Sequence, residues 1–108
     1  MQGVPQIDVT ELQRRRAAGE PVAVLDVREE WERDICSLDT IIAIPLNELP
    51  QSIEMLPKDR ALVVLCHHGM RSLRAAGWLR ANGFDNAVNL AGGIDAWAKQ
   101  IDRQMKVY

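Results

Sequence analysis

The run Leu62-Val63-Val64-Leu65, stopped by Cys66 and followed by His67-His68-Gly69-Met70-Arg71-Ser72, constrains this chain more than any other stretch. Four uninterrupted aliphatics read as a strand buried on both faces, the habit of a parallel sheet covered by helices on either side. Gly69 lets the backbone turn sharply where a Cβ would clash. Ser72 to Ala81 is a helix-like stretch with Ser72 suited to open it. The free N–H groups of that helix start point back towards the sulfur. A helix N-terminus and a nearby guanidinium both favour a thiolate over a thiol, and the thiolate is the nucleophile. A cysteine ending a core strand is also a common packing residue. Two histidines, a glycine and an arginine in the next five positions are more than packing requires.

The rest of the chain repeats the strand–helix alternation. Ile7-Asp8-Val9 is a short edge-strand candidate, and Thr10 is a plausible N-cap for a helix over Glu11 to Ala18, with Leu12 inward and Arg14-Arg15-Arg16 outward. Val22 to Val27 is a second buried strand, ending in Asp26-Val27-Arg28-Glu29. An Asp and an Arg at the carboxyl end of a central strand stand where open α/β sheets place their sites, and Arg28 reads equally well as a paired structural arginine. Glu29 to Arg33 suggests a helical turn or two with Trp31 packing down. Ile41 to Pro45 is a third strand, and Leu46 to Leu56 an irregular helical segment broken by Pro50. Asn82-Gly83 caps the helix after the cysteine loop. Ala87 to Leu90 is the last strand, Ala91-Gly92-Gly93 a tight turn, and Ile94-Asp95-Ala96-Trp97 begins a terminal helix. Asp102 to Tyr108 has no period and is read as draping over the surface or fraying. Trp31, Trp78 and Trp97 read as core aromatics. Strands alternating with helices argue for a mainly parallel sheet covered on both faces.

Composition narrows the function classes. At 108 residues the chain fills one domain. A net charge of −2 supplies no basic field for nucleic acid and no polybasic membrane patch. The apolar stretches fall far short of a membrane span, and Met1 to Asp8 lacks the pattern of a signal peptide. Two cysteines, Cys36 and Cys66, form neither a disulfide framework nor a zinc spacing. A cytoplasmic setting is the expectation.

Three segments in order, Asp26-Val27-Arg28-Glu29, Cys66 to Ser72, and Leu90-Ala91-Gly92-Gly93-Ile94-Asp95-Ala96-Trp97, resemble the single-domain rhodaneses, with the likeness running from about Ile7 to Trp97. The resemblance implies a three-layer α/β domain over residues 1–108: a core of about 7–97, a central mainly parallel sheet of about five strands with helices on both faces, and 98–108 as a C-terminal extension. It implies transfer of a sulfane sulfur through a cysteine persulfide. The donor would be a small sulfur-containing anion such as thiosulfate, or a persulfide; the acceptor would be a thiol, cyanide or a sulfur-acceptor protein. No cofactor and no metal are implied. By the same resemblance Cys66 is the sulfur-accepting nucleophile, and the backbone of His67, His68, Gly69, Met70, Arg71 and Ser72 cradles the outer sulfur. Arg71 would hold a sulfonate or the persulfide charge. Asp26 and Arg28 would scaffold the loop, and Gly92-Gly93 form the closing turn.

The chain also departs from that pattern. Cationic residues follow the cysteine in thiosulfate enzymes of the family, whereas here His67 and His68 do, and imidazoles gain charge only as pH falls towards about 6.5. Asp34 to Thr40 stands where relatives carry a Gly-His-Ile and Pro-Gly connection. Cys36 within it is a packed thiol or, alternatively, a resolving partner for Cys66. A phosphatase or arsenate reductase of the same fold would need Cys-x5-Arg, and Cys66 to Arg71 is one residue shorter. A protein-to-protein sulfur-relay module with little thiosulfate activity remains a second reading, and the presence of Cys66 disfavours a purely regulatory domain.

Overall fold

The computed structural model describes residues 3–108. Five strands alternate with helices: β1 (Gln6–Ile7), α1 (Val9–Ala17), β2 (Val22–Asp26), α2 (Glu30–Ile35), β3 (Ile42–Ala43), α3 (Leu49–Ser52), β4 (Ala61–Leu65), α4 (Met70–Ala81), β5 (Ala87–Leu90) and α5 (Gly93–Gln100). Single 3-10 turns, Leu46–Glu48 and Ile53–Met55, flank α3. The strands form one sheet in the order β1-β5-β4-β2-β3, and every pairing is parallel.

β4 is central, and Leu62 to Leu65 are all 0% exposed. Their alternation splits the core into two layers. Leu62 and Val64 join Leu25, Val27, Ala75, Ala76 and Leu79 on the α3–α4 face. Val63 and Leu65 join Val9, Leu12, Val24, Leu90, Ile94 and Trp97 on the α1–α5 face. Burying each such aliphatic stabilises the fold by roughly 1.5–3 kcal/mol. β4 hands the chain on towards β5, whereas the neighbouring β2 hands it on towards β3. The connections therefore leave in opposite directions between the carboxyl ends of β2 and β4, which opens a crevice there.

Several local expectations are corrected. The first strand is Gln6–Ile7, and α1 is capped by Asp8 rather than Thr10: the Asp8 carboxylate accepts from the Glu11 amide at 2.9 Å. Starting the helix at Val9 buries that residue to 1% exposure. α4 starts two residues earlier than Ser72, because Gly69 takes a left-handed φ of 100° and turns the chain directly into Met70. Pro50 lies in the first turn of α3 and begins it instead of breaking it. Of the three tryptophans only Trp97 is core. Trp31 is 60% exposed because α2 turns Glu32 and Ile35 inward, and Trp78 is 36% exposed on α4, which buries Ala75, Ala76 and Leu79 instead. The Arg14–Arg16 face is solvated as expected, with Arg14 and Arg15 both paired to Glu11. No helix among the described residues is long and apolar enough to cross a membrane.

Candidate active site

Cys66 follows β4 directly, and its sulfur receives three donor contacts from the segment that comes next. The Gly69 amide lies 3.1 Å from Sγ, the Ser72 amide 3.4 Å and the Ser72 hydroxyl 3.3 Å. Gly69 achieves this through its positive φ, and a Cβ there would lie 3.1 Å from the Gly92 amide nitrogen and 3.2 Å from the Leu90 carbonyl oxygen. The loop thus wraps backbone N–H groups around one sulfur at a helix start, an arrangement suited to an anion. The residue is 1% exposed, more enclosed than an open loop would leave it.

Ser72 is placed by Asn89 of β5. The Ser72 hydroxyl donates to Asn89 Oδ1 at 2.6 Å, while Asn89 Nδ2 donates to the Gly69 carbonyl at 3.1 Å and to Gln6 Oε1 at 2.9 Å. One buried amide therefore ties the middle and the far end of the loop to the sheet. Nothing in the spacing of the sequence marked Asn89 for this role, since it reads as one more residue in an apolar strand.

The turn after β5 closes the loop from the other side. Gly92 and Gly93 both have positive φ, 82° and 61°, and a Cβ on Gly93 would run into the carbonyl oxygens of Cys66 and His67. These carbonyls accept from the first amides of α5, Cys66 O from Ile94 at 2.9 Å and His67 O from Asp95 at 3.0 Å. Two helix starts therefore meet at the loop: α4 donates to the sulfur and α5 to the backbone behind it.

Asp26 and Arg28 lie below, both 0% exposed. The Arg28 fork donates to Asp26 at 2.7 Å, to the Cys36 carbonyl at 2.8 Å and to the Tyr108 hydroxyl at 3.0 Å. All of this is internal wiring: Arg28 joins the end of β2 to the connection after α2 and to the C-terminal segment. The 34–40 connection is held partly by this contact and partly by Arg16, which donates to the Asp39 carbonyl.

Arg71 reaches away along the chain to Glu32 of α2, donating through both nitrogens at 2.7 and 2.8 Å. The loop itself contains no carboxylate, but α2 brings one to it. Glu32 is 3% exposed, and it also accepts from the Tyr108 hydroxyl at 2.8 Å and the Glu29 amide at 2.9 Å. The Arg71 guanidinium, ahead of the other donors, holds the Glu32 carboxyl down at about 2. Tyr108 is pushed up to about 12, chiefly by burial. Its ring stacks on His67 with centroids 3.9 Å apart, so residues 102–108 fold back to the loop instead of fraying. Glu32 and Tyr108 were absent from the sequence-based site. Their partners are far away along the chain, and no spacing signals them.

His67 and His68 are stacked at 4.0 Å, and His68 Nδ1 lies 3.7 Å from Asp95. Burial, and after it the neighbouring His68, lowers the His67 pKa, so His67 stays neutral further into the acid range than a free imidazole. Ligand atoms of His67, His68 and Asp95 come within 4.8 Å of one another. Stacked rings aim their in-plane lone pairs side by side, however, not at one point, and Lys99 already occupies Asp95 at 2.9 Å. Met70 is 70% exposed at the loop rim and offers the sulfur its backbone position only. Cys36 belongs to the α1–α5 core layer and Cys66 to the α3–α4 layer, so the sheet separates the two thiols and both are free.

A parallel α/β sheet with a donor-lined cysteine loop at its switch point defines a class, and comparison with known proteins gives the family. The chain belongs to the rhodanese-like domain family, whose model matches residues 8–100. It is 34% identical over 96 residues to a sulfurtransferase of Allochromatium vinosum, covering 89% of this chain and 90% of that protein. It is 40% identical over 93 residues to the probable adenylyltransferase/sulfurtransferase MoeZ of Mycobacterium tuberculosis, covering 84% of this chain and 24% of MoeZ. The chain thus spans about a quarter of that longer relative. The crystal structure of a rhodanese-related protein from Thermoplasma volcanium superposes with a TM-score of 0.82 at 34% identity, over 90% of this chain and 93% of the other.

Proposed function

We propose that the protein is a sulfurtransferase that carries sulfane sulfur on Cys66. The observation that carries this reading is the convergence of the Gly69 amide, the Ser72 amide and the Ser72 hydroxyl on Cys66 Sγ. The two amides are fixed before any substrate arrives, so they stabilise charge on sulfur without reorganisation. The Ser72 proton bonds Asn89 while the sulfur is a neutral thiol and is available to an anionic sulfur.

In the first half-reaction the Cys66 thiolate attacks the outer sulfur of a donor. A Cys66–S bond forms, the donor S–S bond breaks, and its electron pair leaves as sulfite from thiosulfate or as a thiolate from a persulfide. In the second, cyanide or a thiolate attacks the outer sulfur of the Cys66 persulfide and releases the Cys66 thiolate. Sulfur moves as a neutral atom and no external oxidant is consumed. The amides of His67 to Ser72 line the space for the outer sulfur, and Arg71 faces the rim. Gly92 and Gly93 shape the loop directly, whereas Asp26 and Arg28 reach it indirectly, through Tyr108, whose ring stacks on His67.

The family relationship supports this reading, since the Allochromatium relative named as a sulfurtransferase aligns over nearly its full length. The test is mass spectrometry of the purified protein before and after exposure to thiosulfate or to glutathione persulfide. The expected result is an addition of one sulfur atom on the Cys66 peptide that cyanide removes. No addition from either donor would refute the proposal.

A further inference from the structure

Arg71 is the only lysine or arginine in the segment Cys66 to Ser72, so it is the one permanent cation the loop carries. Glu32 takes it in a two-pronged contact at 2.7 and 2.8 Å, and the carboxylate is itself held by Tyr108 and the Glu29 amide. Building on the Cys66 sulfur-transfer reading, we propose that Glu32 is a specificity-determining residue: by neutralising Arg71 it selects an alkyl persulfide as sulfur donor over the thiosulfate dianion.

The chemistry explains why charge separates the two donors. Attack of the Cys66 thiolate on thiosulfate brings three negative charges together, and the departing sulfite keeps two of them. Attack on an alkyl persulfide brings at most two to the reacting sulfur atoms, one of them on a single thiolate leaving group, and the carboxylates and ammonium of a glutathione carrier lie several bonds away from them. Inside a partly dry loop each uncompensated charge is costly, and a free guanidinium is the usual device for meeting a dianion. Here that guanidinium and its carboxylate sum to zero. Two other ion pairs close by are also matched, Lys99 with Asp95 at 2.9 Å and, buried below the loop, Arg28 with Asp26 at 2.7 Å. His67 adds little positive charge at neutral pH, since burial keeps it neutral. Discrimination would thus come from a withheld attraction for the wrong donor as much as from contacts with the right one.

The test measures kcat/KM for thiosulfate and for glutathione persulfide, and takes their ratio. Glu32→Gln keeps the shape of the side chain, leaves one accepting oxygen where the carboxylate had two, and frees the Arg71 charge. The ratio should shift towards thiosulfate tenfold or more, and the gain should weaken with added salt. A merely structural role for Glu32 would lower both rates together and leave the ratio unchanged; that result would overturn the proposal. The double variant Glu32→Gln with Arg71→Gln removes the pair as a neutral unit, so its ratio should stay within threefold of the starting protein. A tenfold loss of relative thiosulfate activity there would mean that Arg71 already serves thiosulfate, and would overturn the proposal even if Glu32→Gln alone does not fold. Mass spectrometry of Cys66 accompanies both variants. Absence of added sulfur from both donors in the unsubstituted protein is the separate failure of the sulfur-transfer reading.

Discussion

At the scale of single residues, the amides of Gly69 and Ser72 already point at the Cys66 sulfur, and the proposed chemistry depends on that placement. Cys66→Ser should abolish sulfur transfer and leave cooperative unfolding intact, since the hydroxyl is nearly isosteric and keeps the Gly69 and Ser72 amides as partners. Circular dichroism and a sulfur-transfer assay on the same sample check this; transfer surviving in the folded variant would contradict the role of Cys66. Ser72→Ala removes one donor to the sulfur and leaves Asn89 Oδ1 without its 2.6 Å partner. The loss of a hydrogen bond to a charged group, about 1.5–3 kcal/mol, corresponds to a fall of about one to two decades in kcat/KM. Iodoacetamide alkylation of Cys66 at fixed pH should slow in the same variant. An unchanged alkylation rate would show that the hydroxyl does not support the anionic sulfur.

At the scale of elements, the loop is shared property of β4, α4 and the start of α5. Gly93 is the point of closest approach, with φ of 61° and no room for a Cβ beneath the Cys66 and His67 carbonyls. Gly93→Ala must push α5 away and break the Ile94 and Asp95 amide bonds to the loop. We expect a loss of about 2 kcal/mol or more, read as a lower urea midpoint at unchanged slope. Asp8→Ala acts on a single helix end, with a loss of about 1 kcal/mol and no effect on sulfur transfer, because only the Glu11 amide loses a partner. The contrast between these two variants separates closure of the site from simple helix capping.

At the scale of the whole molecule, the network Arg28–Tyr108–Glu32–Arg71 joins the end of β2, α2, the start of α4 and the C-terminal residues. It also sets a pH dependence. Glu32 is depressed from 4.5 to about 2 in the folded protein, so the unfolded chain binds its proton first as pH falls. Its contribution is present above about pH 4.5 and is lost progressively down to about 2, with a magnitude of about 3 kcal/mol. Tyr108 has the opposite sign, raised from 10.0 to about 12, so its contribution is present below pH 10 and fades as pH rises towards 12. Urea unfolding at a series of pH values should show both edges. Glu32→Gln should flatten the acid edge, and Tyr108→Phe the alkaline one. An acid edge of equal depth in Glu32→Gln would place the responsible carboxylate elsewhere.

What the sequence determined by itself is what neighbours along the chain decide. The unbroken aliphatics of Leu62 to Leu65 demand a doubly covered strand, and β5 falls on Ala87–Leu90 as its apolar run requires. Cys66, Gly69 and Ser72 lie close enough in sequence that one turn brings them together, so the cradle of amides around the sulfur was legible from spacing. So was the Gly92-Gly93 turn as a feature of the chain, although not what it presses against. Only the tertiary structure decided where Arg71 points, because Glu32 lies 39 residues away on a different helix. It likewise decided the place of Tyr108, 76 residues from Glu32 and 80 from Arg28, in a segment with no period to read. The tryptophans make the same point: hydrophobicity suggested three core aromatics, but the short α2 has one inward side, and Glu32 occupies it while Trp31 remains outside. Local spacing governs turns and strand periods through short-range sterics. Ion pairs and ring stacks between distant residues depend instead on which strand ends the sheet order brings side by side, and that order exists only once the chain has folded.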